Sequence, residues 1–213
     1  MRLILVRHGQ TRHNADGLVQ GRADIPLSDV GRRQAAALAA ALADEPIQAI
    51  VSSPLRRAWD TAATIAAVRG LTVSEEPDLI EMDVGHMEGL SGAEMRSRYP
   101  EVLQRWLAPG GTAVPLPGGE SLAAVQERAW RAVTRLRERF PDGTVVAVTH
   151  NFVIAGIVCL VIGLPLDGFR RFRIEVASRT TVEVGTERCL LLHLNDICHL
   201  RALEHGPAPA TQP

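Results

Sequence analysis

Short β-branched runs alternate along this chain with Ala-rich or Leu-rich segments of helical period, and that alternation constrains the fold more than any other feature. Such a pattern predicts an α/β sheet with covering helices. Met1–Val6 reads as a central strand. Ser28 supplies an N-cap for a helix over Val30–Asp44, which Pro46 ends. Ala49–Ser52 returns as a strand, and Ser53 with Pro54 gives N-cap and first-turn signals for a helix running toward Arg69. Leu71–Glu75 predicts a further strand. Ser91 and Glu94 form a capping box for a short helix to Tyr99, and Pro109–Gly119 reads as an ordered loop or flap. A long helix is expected over Ser121–Arg139, a strand over Thr144–Thr149, a buried helix over Phe152–Ile162, and later strands over Phe172–Val176, Thr180–Val184 and Leu190–Leu194. The expected architecture is a three-layer α/β/α sandwich with a mostly parallel central sheet. It forms one domain over residues 1–205, with a small cap inserted at about 83–119 and a disordered Pro-Ala-rich tail at 206–213.

Composition narrows the possible chemistry. At 213 residues, 46% hydrophobic and 22% charged, the chain has the make-up of a globular protein with a buried core. Its formal net charge of -1 provides no basic field for nucleic acid or an anionic membrane, so any anion site must be local. All 23 basic residues are Arg and none is Lys. That removes a Walker A lysine, Schiff-base lysines and Ser-Lys pairs from consideration. Cys159, Cys189 and Cys198 lack metal-ligand spacing and read as buried free thiols in a reducing compartment. The first residues form a strand-like run with no export signal, and the apolar run Phe152–Leu166 is too short to cross a bilayer. A cytoplasmic protein is the expectation.

Four short stretches concentrate the chemistry. In Leu5-Val6-Arg7-His8-Gly9-Gln10-Thr11 an Arg-His pair stands at the carboxyl end of a predicted strand, where ligands of open α/β sheets sit. Val148-Thr149-His150-Asn151 places a second histidine between a strand and a helix in the same way. Ser52-Ser53-Pro54-Leu55-Arg56-Arg57-Ala58 puts arginines in the first turn of a helix, itself an electropositive end. Two imidazoles, Arg7, Arg57 and that helix end suit a phosphoryl group, whose oxygens accept several charge-assisted hydrogen bonds. Leu79-Ile80-Glu81-Met82-Asp83-Val84-Gly85-His86-Met87-Glu88-Gly89 offers a carboxyl group for proton transfer. Glu81 is the first candidate, with Asp83 and Glu88 as rivals.

Together these stretches resemble the histidine phosphatase superfamily, the phosphoglycerate mutase-like branch one. The resemblance runs through Arg7-His8-Gly9, Asn14, Gln20-Gly21, Pro26-Leu27-Ser28, Gly31, Ser52–Ala62, Glu81–Gly89, Pro117-Gly118-Gly119-Glu120-Ser121 and His150, up to about Val184. It implies that His8 becomes phosphohistidine, that Arg7, Arg57 and His150 clamp the phosphoryl oxygens, and that Glu81 protonates the leaving group. It further implies substrate contacts for Asn14 and for the Gln20-Gly21 loop. Asn151 departs from the glycine usual after the second histidine and sets a side chain near the pocket. No metal or organic cofactor is implied. The expected function is hydrolysis of small phosphorylated metabolites; a phosphoglycerate mutase-type isomerase and a non-catalytic phospho-ligand binder are the alternatives. A homodimer is open, because exposed sheet edges often pair. Outside these stretches, the Arg128–Arg139 run reads as a solvated helix face with Glu127 and Glu138 as partners. His13, His86, His193, His199 and His205 read as surface or packing residues, as do the three tryptophans. Asn195–Leu200 either folds back toward the crevice or packs as a C-terminal element.

Overall fold

The computed structural model describes residues 1–204, so the tail expected to be disordered at 206–213 lies outside the described residues. Its strands are β1 (Arg2–Arg7), β2 (Ile47–Ser52), β3 (Val73–Glu75), β4 (Thr144–Thr149), β5 (Arg179–Val184) and β6 (Cys189–Asp196). They form one mixed sheet in the order β3-β2-β4-β1-β5-β6. The first four in that order are parallel, while β5 runs antiparallel to β1 and β6 to β5. The helices are α1 (Arg12–Ala15), α2 (Asp29–Ala41), α3 (Arg56–Arg69), α4 (Gly92–Arg98), α5 (Pro100–Leu107), α6 (Leu122–Arg139), α7 (Asn151–Val161) and α8 (Arg201–Glu204).

Strand periodicity builds the three layers. Leu3, Leu5, Val145 and Ala147 point to one face and pack with Leu122, Val125, Ala129, Ile154 and Val158 of α6 and α7. Their neighbours Ile4, Val6, Val146 and Val148 point the other way, onto Leu38 and Ala39 of α2 and Ala58, Ala62 and Ile65 of α3. β4 is buried along its whole length, as a central parallel strand covered on both faces must be. Helix starts follow the capping chemistry: the hydroxyls of Ser28, Ser91 and Ser121 accept from Gly31 N, Glu94 N and Ala124 N, and Glu94 completes the box with Ser91. Among the described residues no helix is long and apolar enough to cross a membrane.

Three sequence expectations change and one helix is added. Phe172–Val176 is not a strand, although its side chains alternate: the edge of β1 on that side is taken by β5, and the segment's polar groups go elsewhere. The carbonyl of Ile174 accepts from Arg7, and the amide of Glu175 donates to the Asn195 side chain. The helix after Ser53-Pro54 starts two residues later than its N-cap signal, with Leu55 at the N-cap, because Ser53 N donates to Val148 O and holds that residue beside β4. β3 is short, since Leu71 N closes back onto Ala66 O past the left-handed Gly70. Finally, Pro100 occupies the first turn of α5, a helix the sequence reading leaves unassigned.

Parallel pairing brings three chain turns to one end of the sheet. Arg7 lies beside Thr149 and Ser52 beside Val148, so His8, His150 and Ser53 each follow a strand at the same carboxyl edge. The stretch between β3 and α6 closes one side of that edge. Val19 and Phe152, which border the crevice there, also line an apolar cavity of about 110 Å³ with Met95, Leu103 and Trp106.

Candidate active site

His8, Arg7, Glu81, Asn14, Gln20 and Asn151 line one cavity of about 250 Å³, together with Leu18, Val19 and Phe152. The rings of His8 and His150 are 5.1 Å apart, centroid to centroid. Residues separated by up to 145 positions in the chain thus meet at one crevice, as the strand-end argument anticipates.

The hydrogen bonds of His8 fix its tautomer. Its Nδ1 lies 2.7 Å from Gly9 O, and a carbonyl can only accept, so Nδ1 carries the proton. Nε2 then presents a lone pair, which accepts from Arg57 Nε at 3.2 Å. Burial, followed by the charges of Arg57 and Arg7, holds the imidazole well below the ordinary histidine range. The backbone around it is tightly braced. Gly9 N donates to Thr61 Oγ1, and a Cβ on Gly9 would meet Gly31 O at 2.5 Å.

Arg57 is completely buried on the first turn of α3. Besides His8, its guanidinium donates to Ala23 O at 2.8 Å and to Gly21 O at 2.6 Å, and burial lowers its pKa to about 10. Gly21 therefore stands behind Arg57 and not on the cavity wall. Arg56 is exposed and only its amide is engaged, by Asp24. Arg7 donates from Nη1 to Ile174 O at 2.5 Å, while its buried Nε has no partner. His150 Nε2 lies 2.7 Å from Ser53 Oγ, leaving the buried Nδ1 unpaired. Burial first, then Arg57, His8 and Arg7, also lowers the His150 pKa well below the usual range. Gln20 is similar: its Oε1 contacts Thr11 Oγ1, and its buried Nε2 has no partner. Asn14 Oδ1 accepts from Thr11 N and closes the turn of α1.

Glu81 is 4% exposed, and its Oε1 accepts from Met82 N at 2.8 Å. Burial raises its pKa in spite of that bond and of Arg57, Arg7 and Arg128 nearby. The two rival carboxylates are occupied: Glu88 accepts from Gly21 N and Ala23 N, and Asp83 from Gly85 N. Among the described residues no group of His, Cys, Asp and Glu side chains is arranged to hold a metal ion.

The run is a solvated face as expected at Arg131, Arg135 and Arg139, with Arg131 paired to Glu127, but Arg128 departs from it. It is 8% exposed, pairs with Glu120 at 2.8 Å, and donates to the carbonyls of Asp78, Ile80 and Glu81. The sequence held a signal for this, since position 128 falls on the apolar stripe of Val125, Ala129, Ala132 and Leu136. Ser53 was missed as the partner of His150 and no local pattern reveals it. The Asn195–Leu200 segment does not line the crevice; it packs behind it. Asn195 holds Glu175, His199 Nε2 lies 3.0 Å from Ala177 O, and Ala177 N donates to His8 O.

A family model described as the histidine phosphatase superfamily (branch 1) matches residues 3–197, and the chain belongs to that superfamily as a phosphatase. Phosphoserine phosphatase 1 of Hydrogenobacter thermophilus is 37% identical over 200 residues, which span 94% of each chain. Bacillus stearothermophilus YhfR superposes with a TM-score of 0.87 at 30% identity, covering 93% of this chain and 98% of that one. A mycobacterial glucosyl-3-phosphoglycerate phosphatase in complex with VO3 superposes with a TM-score of 0.83 at 32% identity, covering 91% of this chain and 98% of its own.

Proposed function

We propose that the chain hydrolyses small phosphomonoesters in two steps through a phosphohistidine on His8, without a metal ion. The observation that carries this is the pairing of the His8 Nε2 lone pair, which Arg57 Nε alone contacts, with unfilled buried donors: Arg7 Nε and Gln20 Nε2 beside the same cavity and, in its Nδ1–H tautomer, His150, whose ring lies 5.1 Å from that of His8. Buried donors without partners are costly unless an anion completes them. A phosphoryl group has the oxygens to do so.

In the first step His8 Nε2 attacks phosphorus as the bond to the ester oxygen breaks, and Glu81 gives its proton to the departing oxygen. The Nδ1–H of His8 keeps its bond to Gly9 O, which stabilises the positive ring that forms. Arg57 Nε transfers its hydrogen bond from the consumed lone pair to a phosphoryl oxygen, joining Arg7 and His150 in the clamp. In the second step water attacks phosphorus, Glu81 takes its proton, and His8 leaves as neutral imidazole. Asn14 and Asn151 contact the substrate beside this centre. Phosphoserine and glucosyl-3-phosphoglycerate, the substrates named for two relatives, are members of the class proposed.

This catalytic unit spans residues 1–205 with 83–119 as its cap. Three unpaired thiols suit a cytosolic setting, although Cys159 alone is buried as expected and Cys198 is exposed, and a second copy would pair along the free edge of β6, where Leu190, Leu192 and Leu194 are exposed. The test is hydrolysis of p-nitrophenyl phosphate with and without EDTA, coupled to acid quenching of a labelled turnover. Activity that survives the chelator, and acid-labile phosphate that disappears in His8→Ala, are the expected results. Activity that vanishes with EDTA and returns only with added metal would overturn the mechanism.

A further inference from the structure

The crevice has a second chamber. Arg7 and Asn151 stand between the cavity of His8 and a larger one of about 360 Å³, whose far wall carries Phe169, Arg170, Phe172, Arg173 and Glu175. A phosphoryl group on His8 would occupy the Arg7 side of this boundary, so the second chamber is open to whatever the phosphate is attached to. Its charges are three guanidiniums against one carboxylate.

These arginines are not equivalent. The Arg170 guanidinium lies 4.4 Å from the Trp106 ring centre and 4.5 Å from that of Phe169, and its Nη2 donates to Trp106 O. Stacking holds the plane while leaving other N–H groups at its edge, the geometry that suits a bidentate anion. Arg173 is exposed and pairs with no carboxylate among the described residues. Glu175 is set by its amide bond to Asn195 and leaves the wall positive overall.

We infer that this chamber is the leaving-group subsite and that it takes a leaving group bearing its own anion, a carboxylate or a second phosphate, held by Arg170 and Arg173. The inference rests on the phosphomonoesterase reading above and adds the identity of the substrate tail. A neutral or cationic tail would bring no anion to the N–H groups that Arg170 has left beyond its bond to Trp106 O, nor to those of Arg173.

Phosphate release is measured for four esters with similar phosphoryl centres: 3-phosphoglycerate with a carboxylate tail, propane-1,3-diol bisphosphate with a phosphate tail, glycerol 3-phosphate with a neutral tail, and phosphoethanolamine with a cationic one. The wild type is expected to favour at least one anionic tail over glycerol 3-phosphate by about tenfold or more in kcat/KM, mainly through KM, as one charge-assisted pair supports. The better of the two anionic arms identifies the anion. Arg173→Gln and Arg170→Gln should each shrink that ratio, and Arg173→Glu should move preference toward phosphoethanolamine. Equal efficiencies across all four esters, or a ratio that neither glutamine variant moves, would overturn the subsite while leaving the phosphatase intact. No phosphate release from any of them, nor from p-nitrophenyl phosphate, would instead remove the phosphomonoesterase reading itself.

Discussion

At His8 and Glu81 the site favours two uncharged groups, and their opposite pKa shifts set the direction of the pH profile. The His8 pKa is lowered by burial and by Arg57 and Arg7, so its lone pair persists to pH values below 6.5. The Glu81 pKa is raised by burial, so its proton persists above pH 4.5. Activity should therefore fall on the acid side as His8 protonates and on the basic side as Glu81 ionises. Glu81→Gln is expected to lower kcat/KM on an alkyl phosphomonoester by about 10²–10⁴-fold and to abolish the basic limb. The loss on p-nitrophenyl phosphate should be much smaller, because its phenolate leaves without a donated proton. Equal losses of kcat/KM, which reports phosphorylation of His8 and not the later attack by water that Glu81 also assists, would exclude Glu81 as the acid. The residues of this pair were legible in the sequence, since each sits in a local context, a strand end or a Glu-bearing loop. Ser53 was not, because its hydroxyl matters only through His150, 97 positions away.

Helices fix these side chains indirectly, through positions that single-residue chemistry does not reveal. Arg128 reaches from the buried face of α6 to the carbonyls of Asp78, Ile80 and Glu81, and so holds the backbone that carries the proposed acid. Its charge pointed to solvent, yet the 3.6-residue period of its neighbours pointed inward, and the period was right. Arg128→Met would leave these buried carbonyls without that donor and Glu120 with only Asp83 N and Arg22 as partners. Urea denaturation should show a loss of about 3–5 kcal/mol, the scale of a broken buried pair. A loss no larger than that of an exposed ion pair, under about 1 kcal/mol, would mean the helix face is solvated after all. α2 acts by contact instead. A Cβ on Gly31 would stand 2.0 Å from Gln10 O, within the loop that follows His8. Gly31→Ala should cost about 1–3 kcal/mol by overpacking and lower kcat together with stability. An alanine variant of wild-type stability and rate would show that this approach is slack. Phe172–Val176 teaches the converse: period-2 alternation makes a strand only where an edge is free, and here β5 holds it.

The whole fold was legible as layers but not as strand order, because β1 meets β4 across about 140 residues of chain and no local signal encodes that pairing. The same long-range convergence couples the stability of the molecule to pH through its crevice. His8 and His150 have folded-state pKa values below 6.5, so their contribution is complete above that pH and is lost as pH falls toward the depressed values. Glu81 has the opposite sign. Its folded-state pKa lies above 4.5, so its contribution is complete below that pH and is lost as pH rises through the elevated value. Inorganic phosphate, by filling the unpaired donors, should raise Tm at any pH where it binds, by an amount that grows with its concentration. Glu81→Gln separates the two signs, because glutamine can still accept from Met82 N but cannot ionise. The histidine contribution is common to both proteins and cancels in the difference. Thermal melts of variant and wild type from pH 4 to 8 should therefore show a Tm difference that shifts in favour of the variant as pH rises from about 4.5. A difference that stays flat over that range would mean that Glu81 is not held neutral by its surroundings, and the proton donor would then have to be sought elsewhere in the crevice.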